Sequence, residues 1–385
     1  MTDPAHSTLD ILSEAKIIVI KIGSVLVRGS ELDQVNQSWL DALAQDVKAL
    51  QDQGKKVVIV SSGGIALGRK ALGISPNTAP DKIPLAQKQA ASAVGQFHVF
   101  HGYHDAFEKL DIITAQVLLT VGDTENWRMN LNARETLYTL LERNIIPVIN
   151  ENDTVSTGEI RFGDNDRLAV RVGQMILADA VVLLSTIDGL FTSDPQKDPQ
   201  AKHIPVIDQI TEEHIKMGGD ATAGLSTGGM KSKITAAISA IKSGIHLIIT
   251  DGRPSHALKD LCEHAEKRSS IFISQYCDLS ARQKWLGAHM QPKGVITIDD
   301  GAIQALHKGK SLLPVGVKSV DGDFKRGDPV EIRDGLGNRI AMGISAYSAE
   351  DANRLKGKQS REIPDILGFA GRDVLVHRND MVLEV

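Results

Sequence analysis

Apolar residues along this chain cluster in short blocks divided by longer stretches of mixed character. Six blocks read as strands: "KIIVIKIG" (16–23), "KVVIVSSGG" (56–64), "IITAQVLLT" (112–120), "IIPVIN" (145–150), "AVVLLST" (180–186) and "GIHLIIT" (244–250). They are rich in Val and Ile, apolar on both faces, and end in small or polar residues, as fully buried parallel strands do. Between them lie helical patterns. In "SWLDALAQDVKALQDQG", Leu40, Leu43, Val47 and Leu50 share one face, and Gly54 ends the helix. Strand–helix alternation predicts an α/β fold over residues 15–275, an open, mostly parallel sheet sandwiched by helices. Ligands of such sheets bind beyond the carboxyl ends of the strands, where this chain places its polar clusters.

The pattern changes near residue 276. "YCDLSARQKWLGAHMQP" is mixed and reads as a linker over 276–291. Short alternating strands with glycine turns follow: "GVITID", "LLPVGVKSV", "GDPVEIR", "RIAMGIS" and "DVLVHR". They predict a small β-rich domain over 292–385. Residues 1–14 stand before the first strand as an N-terminal extension.

Composition narrows the function classes. A length of 385 residues suffices for two domains, and 42% hydrophobic with 24% charged residues is ordinary for a globular protein. A formal net charge of -5 gives no global electrostatic pull toward nucleic acid or membrane. Cys262 and Cys277 are too few for a disulfide framework and fit a reducing compartment. No apolar run is long enough for a membrane span, and "MTDPAHSTLD" lacks a signal-peptide shape, so a cytoplasmic protein is expected.

The chemistry sits in four polar clusters. Lys21 and Gly23 end the first strand, where a small-residue turn and a lysine can meet an anion or simply close the strand. Ser61, Ser62, Gly63 and Gly64 follow the second strand, as an anion site or an ordinary helix cap. "AGLSTGGMKSK" spaces Gly224 and Gly229 like a phosphate-binding P-loop, but Met230 stands where lysine belongs and no apolar strand precedes it, which excludes that motif. Lys231 and Lys233 then occupy the first turn of an amphipathic helix, an unfavourable place for cations unless a bound polyanion compensates. The fourth cluster follows "IIPVIN": Asn150, Glu151, Asn152 and Asp153, then Asp164, Asn165 and Asp166. Amides beside carboxylates suit a small zwitterion or a Mg²⁺-bearing ligand as well as a solvated loop. His98, His101 and His104 recur at intervals of three, a poor metal spacing that favours a surface or interface helix.

Together "VIKIGS", "IVSSGGIALGR", "LNARETL", "PVINENDTV", "GDNDRLA", "DGLFTSDP" and "STGGMKSK" resemble the glutamate 5-kinases of the amino acid kinase family. "SLLPVGVKSVDGDFKRGDPVEI" resembles a PUA domain. The resemblance implies phosphorylation of the γ-carboxylate of L-glutamate by ATP, giving L-glutamyl 5-phosphate, the first step of proline biosynthesis. It implies Lys21 as a phosphate contact, Lys233 as a second catalytic lysine, and Asp166 as the group orienting both. Ser62, Asp153 and Asn165 become glutamate ligands with Asn150 nearby. Ser185, Thr186 and the loop Thr227, Gly228, Gly229, Met230, Lys231, Ser232 and Lys233 become nucleotide contacts. The family's usual pair at 185–186 is Thr-Asp, from which Ser-Thr departs.

The resemblance further implies Mg²⁺ held mainly by ATP phosphates rather than by protein ligands, a homo-oligomer, and proline feedback involving the 154–161 loop. Relatives acting on other acids share the fold. Asp153 favours free glutamate, because an acetylated amine needs no counter-charge. PUA domains also suggest RNA, but Lys plus Arg and Asp plus Glu balance at 14 each over 292–385, leaving no basic footprint. A regulatory or assembly role is the other reading of that domain.

Overall fold

A computed structural model of the chain describes residues 7–29, 34–75, 77–79, 82–155, 165–195, 197–218, 229–275 and 292–383. They form two units, Met1–Glu125 with Asn132–Cys277, and Asn126–Leu131 with Asp278–Val385. The linker expected over 276–291 lies outside the described residues.

In the first unit the strands are β1 (Ile17–Ile22), β2 (Lys56–Val60), β3 (Thr114–Leu119), β4 (Ile146–Glu151), β5 (Ala180–Ser185), β6 (Leu190–Phe191), β7 (His203–Ile204), β8 (Val206–Ile207), β9 (His246–Asp251) and β10 (Ser269–Phe272). Eight of them form one sheet in the order β3-β4-β2-β1-β5-β9-β10-β8. Neighbours run parallel except β9 and β10. The chain leaves β1 to one side for β2 and returns to the other for β5, so the strand order reverses at β1.

Helices cover both faces. They are α1 (Thr8–Glu14), α2 (Ser24–Val27), α3 (Gln37–Asp52), α4 (Gly64–Gly68), α5 (Leu85–Glu108), α6 (Val121–Glu125), α7 (Trp127–Glu142), α8 (Asn165–Ile176), α9 (Glu212–Met217), α10 (Met230–Lys242) and α11 (Ala257–Glu263). Strand parity assigns them. Ile18, Ile20 and Ile22 join one core with residues of α3, α5 and α11, while Val19 joins the opposite core with residues of α8 and α10. Side chains alternate along a strand, so Lys21 shares the α8/α10 face with Val19. By the same parity Asn150, in register with Ile146 and Val148, faces the α5 side.

The sequence reading needs correction at two places. Residues 112–120 do not form a two-faced buried strand: β3 is the sheet edge, where pairing on one side only leaves Leu118 exposed, and Ile113 just before it is exposed too. The short strands β8 and β10 were not expected at all. Within the N-terminal extension, Ser7 and Asp10 cap α1 reciprocally, and Ile11 and Leu12 bury in the core.

Helices α4 and α5 cross with almost no gap. A Cβ on Gly68 would lie 1.8 Å from the Ala91 carbonyl oxygen, and one on Gly95 would lie 1.8 Å from that of Gly64. Only glycine permits this approach. Gly63, at φ +117°, makes the turn from β2 into α4.

The second unit carries a five-stranded sheet of β11 (Gly294–Ile298), β12 (Val317–Gly322), β13 (Pro329–Arg333), β14 (Arg339–Ile344) and β15 (Met381–Leu383), in the order β12-β11-β13-β14-β15. Its core holds Ile296, Ile298, Phe324, Val330, Ile332 and Tyr347. The strand expected in "DVLVHR" reduces to one isolated bridge, Leu312 with Val376, and β15 takes the sheet edge instead. Helices 300–307, 349–355 and 363–367 also belong to this unit, which is less purely β than its glycine turns suggest.

Candidate active site

Three buried charges meet beyond the carboxyl end of β1. Lys21 comes from the strand itself, Asp166 from the first turn of α8, and Lys233 from the first turn of α10. Lys21 Nζ lies 2.6 Å from Asp166 Oδ1, and Lys233 Nζ donates to Oδ2 at 2.9 Å. Ser232 Oγ adds a longer bond of 3.4 Å to Oδ2. Asp166 is 1% exposed, Lys233 3% and Lys21 7%. Burial alone would raise the Asp166 pKa, but the two ammonium groups overcome it and hold the carboxyl well below the usual range.

One carboxylate between two lysines leaves a net positive charge at the carboxyl end of the central strand β1. This changes one sequence expectation. Lys233 does not rely on an outside polyanion, because Asp166 already serves it; the excess positive charge of the triad is what remains for an anion. The N-terminus of α10 adds to it. Gly229 caps that helix with no side-chain bond, and among the described residues, its chain neighbours aside, none has an atom within 4 Å of where its Cβ would be.

Beside the triad lies a cluster of amides. Asn165 directly precedes Asp166 on α8. Its Nδ2 donates to the Ser61 carbonyl at 2.6 Å, to Ser62 Oγ at 2.8 Å and to Asn150 Oδ1 at 3.1 Å. Asn150 Nδ2 donates to Gln96 Oε1 at 3.0 Å. Asp153 follows β4 and is buried, accepting from Ser92 Oγ at 2.6 Å. Burial pushes its pKa up, and the serine bond partly opposes this. Ser92 and Gln96 are one turn apart on α5, so a single helix face holds both Asp153 and Asn150.

A family model described as the amino acid kinase family matches residues 16–251, more than half of the chain. The chain belongs to the amino acid kinase family. A second model, the PUA domain, matches residues 294–367. The chain is 46% identical to glutamate 5-kinase from Paramagnetospirillum magneticum over 97% of this chain and 99% of that protein. Identity to glutamate 5-kinase from Gluconobacter oxydans is also 46%, over the full length of both. A crystal structure of UMP kinase from Bacillus anthracis aligns with TM-score 0.49 at 15% identity, over 68% of this chain and 97% of that one.

In this amino acid kinase the structure brings Lys21, Asp166 and Lys233 into one ion-pair triad, and Ser62, Asn150 and Asn165 into one hydrogen-bonded cluster. Asp153 joins through α5. Ser185 ends β5 half-buried, its carbonyl accepting from Gly252 N–H at 2.8 Å, and Thr186 beside it is exposed. Of the glycine-rich loop, Gly229, Met230, Lys231 and Ser232 are described; Thr227 and Gly228 lie outside the described residues, as do Asp164 and residues 156–161 of the 154–161 loop. His98 and His101 are exposed on α5, with rings 97 and 101 stacked. Ser92 and Gln96 escape sequence reading, which follows only the histidines of that helix. Their one visible trace is a polar pair at i, i+4 flanking Gly95. Among the described residues no helix is long and apolar enough to cross a membrane, and no group of three His, Cys, Asp or Glu is placed to hold a metal.

Proposed function

We propose that this chain is a glutamate 5-kinase, transferring the γ-phosphoryl group of ATP to the side-chain carboxylate of L-glutamate. The product is L-glutamyl 5-phosphate, and the step opens proline biosynthesis. The observation that carries this reading is the buried Lys21–Asp166–Lys233 triad lying next to the amide cluster, in a chain 46% identical to glutamate 5-kinases over nearly its whole length.

The acceptor carboxylate has a pKa of about 4.3 and is ionised at neutral pH, so no general base is needed. Catalysis then reduces to holding two anions in line and neutralising charge on the transferring group. Lys21 and Lys233 supply that charge, and Asp166 fixes where their ammonium groups sit. Ser62, Asn150, Asn165 and Asp153 receive the amino-acid end of glutamate, Asp153 pairing with the ammonium. Ser185, Thr186 and the loop Thr227 to Lys233 line the nucleotide. The Mg²⁺ that accompanies ATP screens phosphate charge. Asp166, already paired with two lysines, would be a poor ligand for it, and the ATP phosphates would hold the ion. Proline feedback, a homo-oligomeric state and a cytoplasmic location are parts of the same proposal and rest on the resemblance.

Purified protein with Mg-ATP is expected to form hydroxamate from L-glutamate and hydroxylamine, with N-acetylglutamate and aspartate poor substrates. Equal rates with N-acetylglutamate would remove Asp153 from the ammonium site. The raised Asp153 pKa adds a pH signature. Only the ionised carboxylate pairs with ammonium, and burial makes it protonate at higher pH than an ordinary aspartate. The KM for glutamate should therefore climb as pH falls through the acid range, while the KM for ATP stays level. Asp153→Asn should raise the glutamate KM and flatten its pH profile; an unchanged profile in the variant assigns the titration elsewhere.

A further inference from the structure

Three main-chain groups decide which way the amides of the acceptor site point. A carbonyl only accepts and an N–H only donates, so neither can exchange roles as a side-chain amide can. The Glu151 carbonyl accepts from Gln96 Nε2 at 2.9 Å, which turns Gln96 Oε1 toward Asn150. Asn150 is then held from both ends: its Nδ2 donates to Gln96 Oε1 at 3.0 Å, and its Oδ1 accepts from Glu151 N–H at 2.9 Å. The Ser61 carbonyl and Asn150 Oδ1 both demand a donor from Asn165 and receive its Nδ2. The far atom of the relay, Asn165 Oδ1, is buried and has no hydrogen-bond partner among the described residues.

Two consequences follow for a ligand. An orphaned carbonyl oxygen at Asn165 can only accept, so it suits an ammonium. Ser62 Oγ already accepts from Asn165 Nδ2 at 2.8 Å, which leaves its own O–H to donate, so it suits a carboxylate. The pattern matches the two ends of an unblocked α-amino acid.

We propose that Gln96 is the positioning residue that sets this polarity. It sits 6% exposed on α5, behind the residues assigned to the ligand, and acts through Asn150 and Asn165. It lies at the α4/α5 crossing, where its Cγ stands 3.5 Å from where a Cβ on Gly64 would be. The inference deepens the glutamate 5-kinase reading and rests on it.

Two substitutions test it in the full-length chain. Gln96→Leu keeps the volume and removes both bonds. It should raise the KM for glutamate about tenfold or more, with kcat and the KM for ATP within about threefold of wild type. Gln96→Glu is the sharper probe. A protonated carboxyl donates to the Glu151 carbonyl and accepts from Asn150, as glutamine does; an ionised one sets a second acceptor against that carbonyl. Burial raises a carboxyl pKa, so the variant should titrate above the ordinary range. The ratio of its glutamate KM to that of wild type should stay near one in mild acid and climb severalfold toward pH 8.5 or so. A merely structural role gives no such climb. A folded Gln96→Leu protein with an unchanged glutamate KM overturns the proposal, as does an equal rise in both substrates' KM. If Gln96→Leu does not fold, a Gln96→Glu ratio that is flat with pH overturns it equally. A wild type inactive toward glutamate would instead count against the parent reading, so the two failures are distinguishable.

Discussion

Lys233→Ala should lower kcat by about two orders of magnitude or more, with a much smaller change in either KM. The ammonium group matters most when charge builds on the transferring phosphoryl, and removing one preorganised donor of this kind costs about 3 kcal/mol of transition-state stabilisation. Folding should survive. Without Lys233, Asp166 still has Lys21 Nζ at 2.6 Å, so the buried charges become one pair with zero net charge. The measurement is steady-state kinetics with hydroxylamine trapping. A variant with normal kcat and a raised ATP KM would make Lys233 a ground-state binder of the nucleotide instead.

Asp166→Ala should behave in the opposite way and attack the fold. Two ammonium groups, 3% and 7% exposed, would lose their shared counter-charge. Breaking a buried pair from one side costs about 3–5 kcal/mol, which for a domain of this size is a melting-temperature drop of roughly 10 °C. The pH dependence has a definite sign. The Asp166 carboxyl is depressed in the folded chain, so its stabilisation is fully present above the ordinary aspartate pKa of about 3.9 and is lost only as pH falls through the lower folded value. The gap between wild type and variant should hold steady from neutral pH to mild acid. A gap that closed between about pH 7 and 5 would point to a different titrating group. Added ATP should stabilise the variant more than the wild type, because phosphate charge replaces the missing carboxylate.

Much of the sheet was readable because β1, β2, β4, β5 and β9 are apolar on both faces, and such runs have few other uses. The edges were not. β3 exposes one side, β8 has two residues, and β10 has four, "SSIF", of which two are serine. Serine hides a strand whose hydroxyl partners lie far off in sequence, as the Ile204 carbonyl does, accepting from Ser270 Oγ at 2.6 Å. In the second unit the alternation of "DVLVHR" suggested a strand that reduces to one bridge at Val376, while "SAEDANRL" forms a helix behind the Ser348 cap. The site divides along similar lines. Lys21, Ser62 and Asn150 stand at strand ends, where position alone made them candidates. The meeting of Lys21 with Lys233 came only through resemblance, since 212 positions separate them. Gln96 and Ser92 were invisible because a polar residue inside a helix becomes meaningful only when the opposite partner, here β4 and its following turn, is known.

The glycine crossing of α4 and α5 limits how this enzyme could be redesigned. Ser62 leads into one helix, and Ser92 with Gln96 rides on the other, so the crossing sets the distance between the two walls of the proposed acceptor site. With backbone touching backbone at Gly68 and Gly95, the walls cannot be brought nearer, and any side chain there forces them apart by more than an ångström. Room for a longer or branched acid must therefore come from trimming side chains hung on a fixed frame. Libraries aimed at new acceptors should leave both glycines untouched and vary the residues around them.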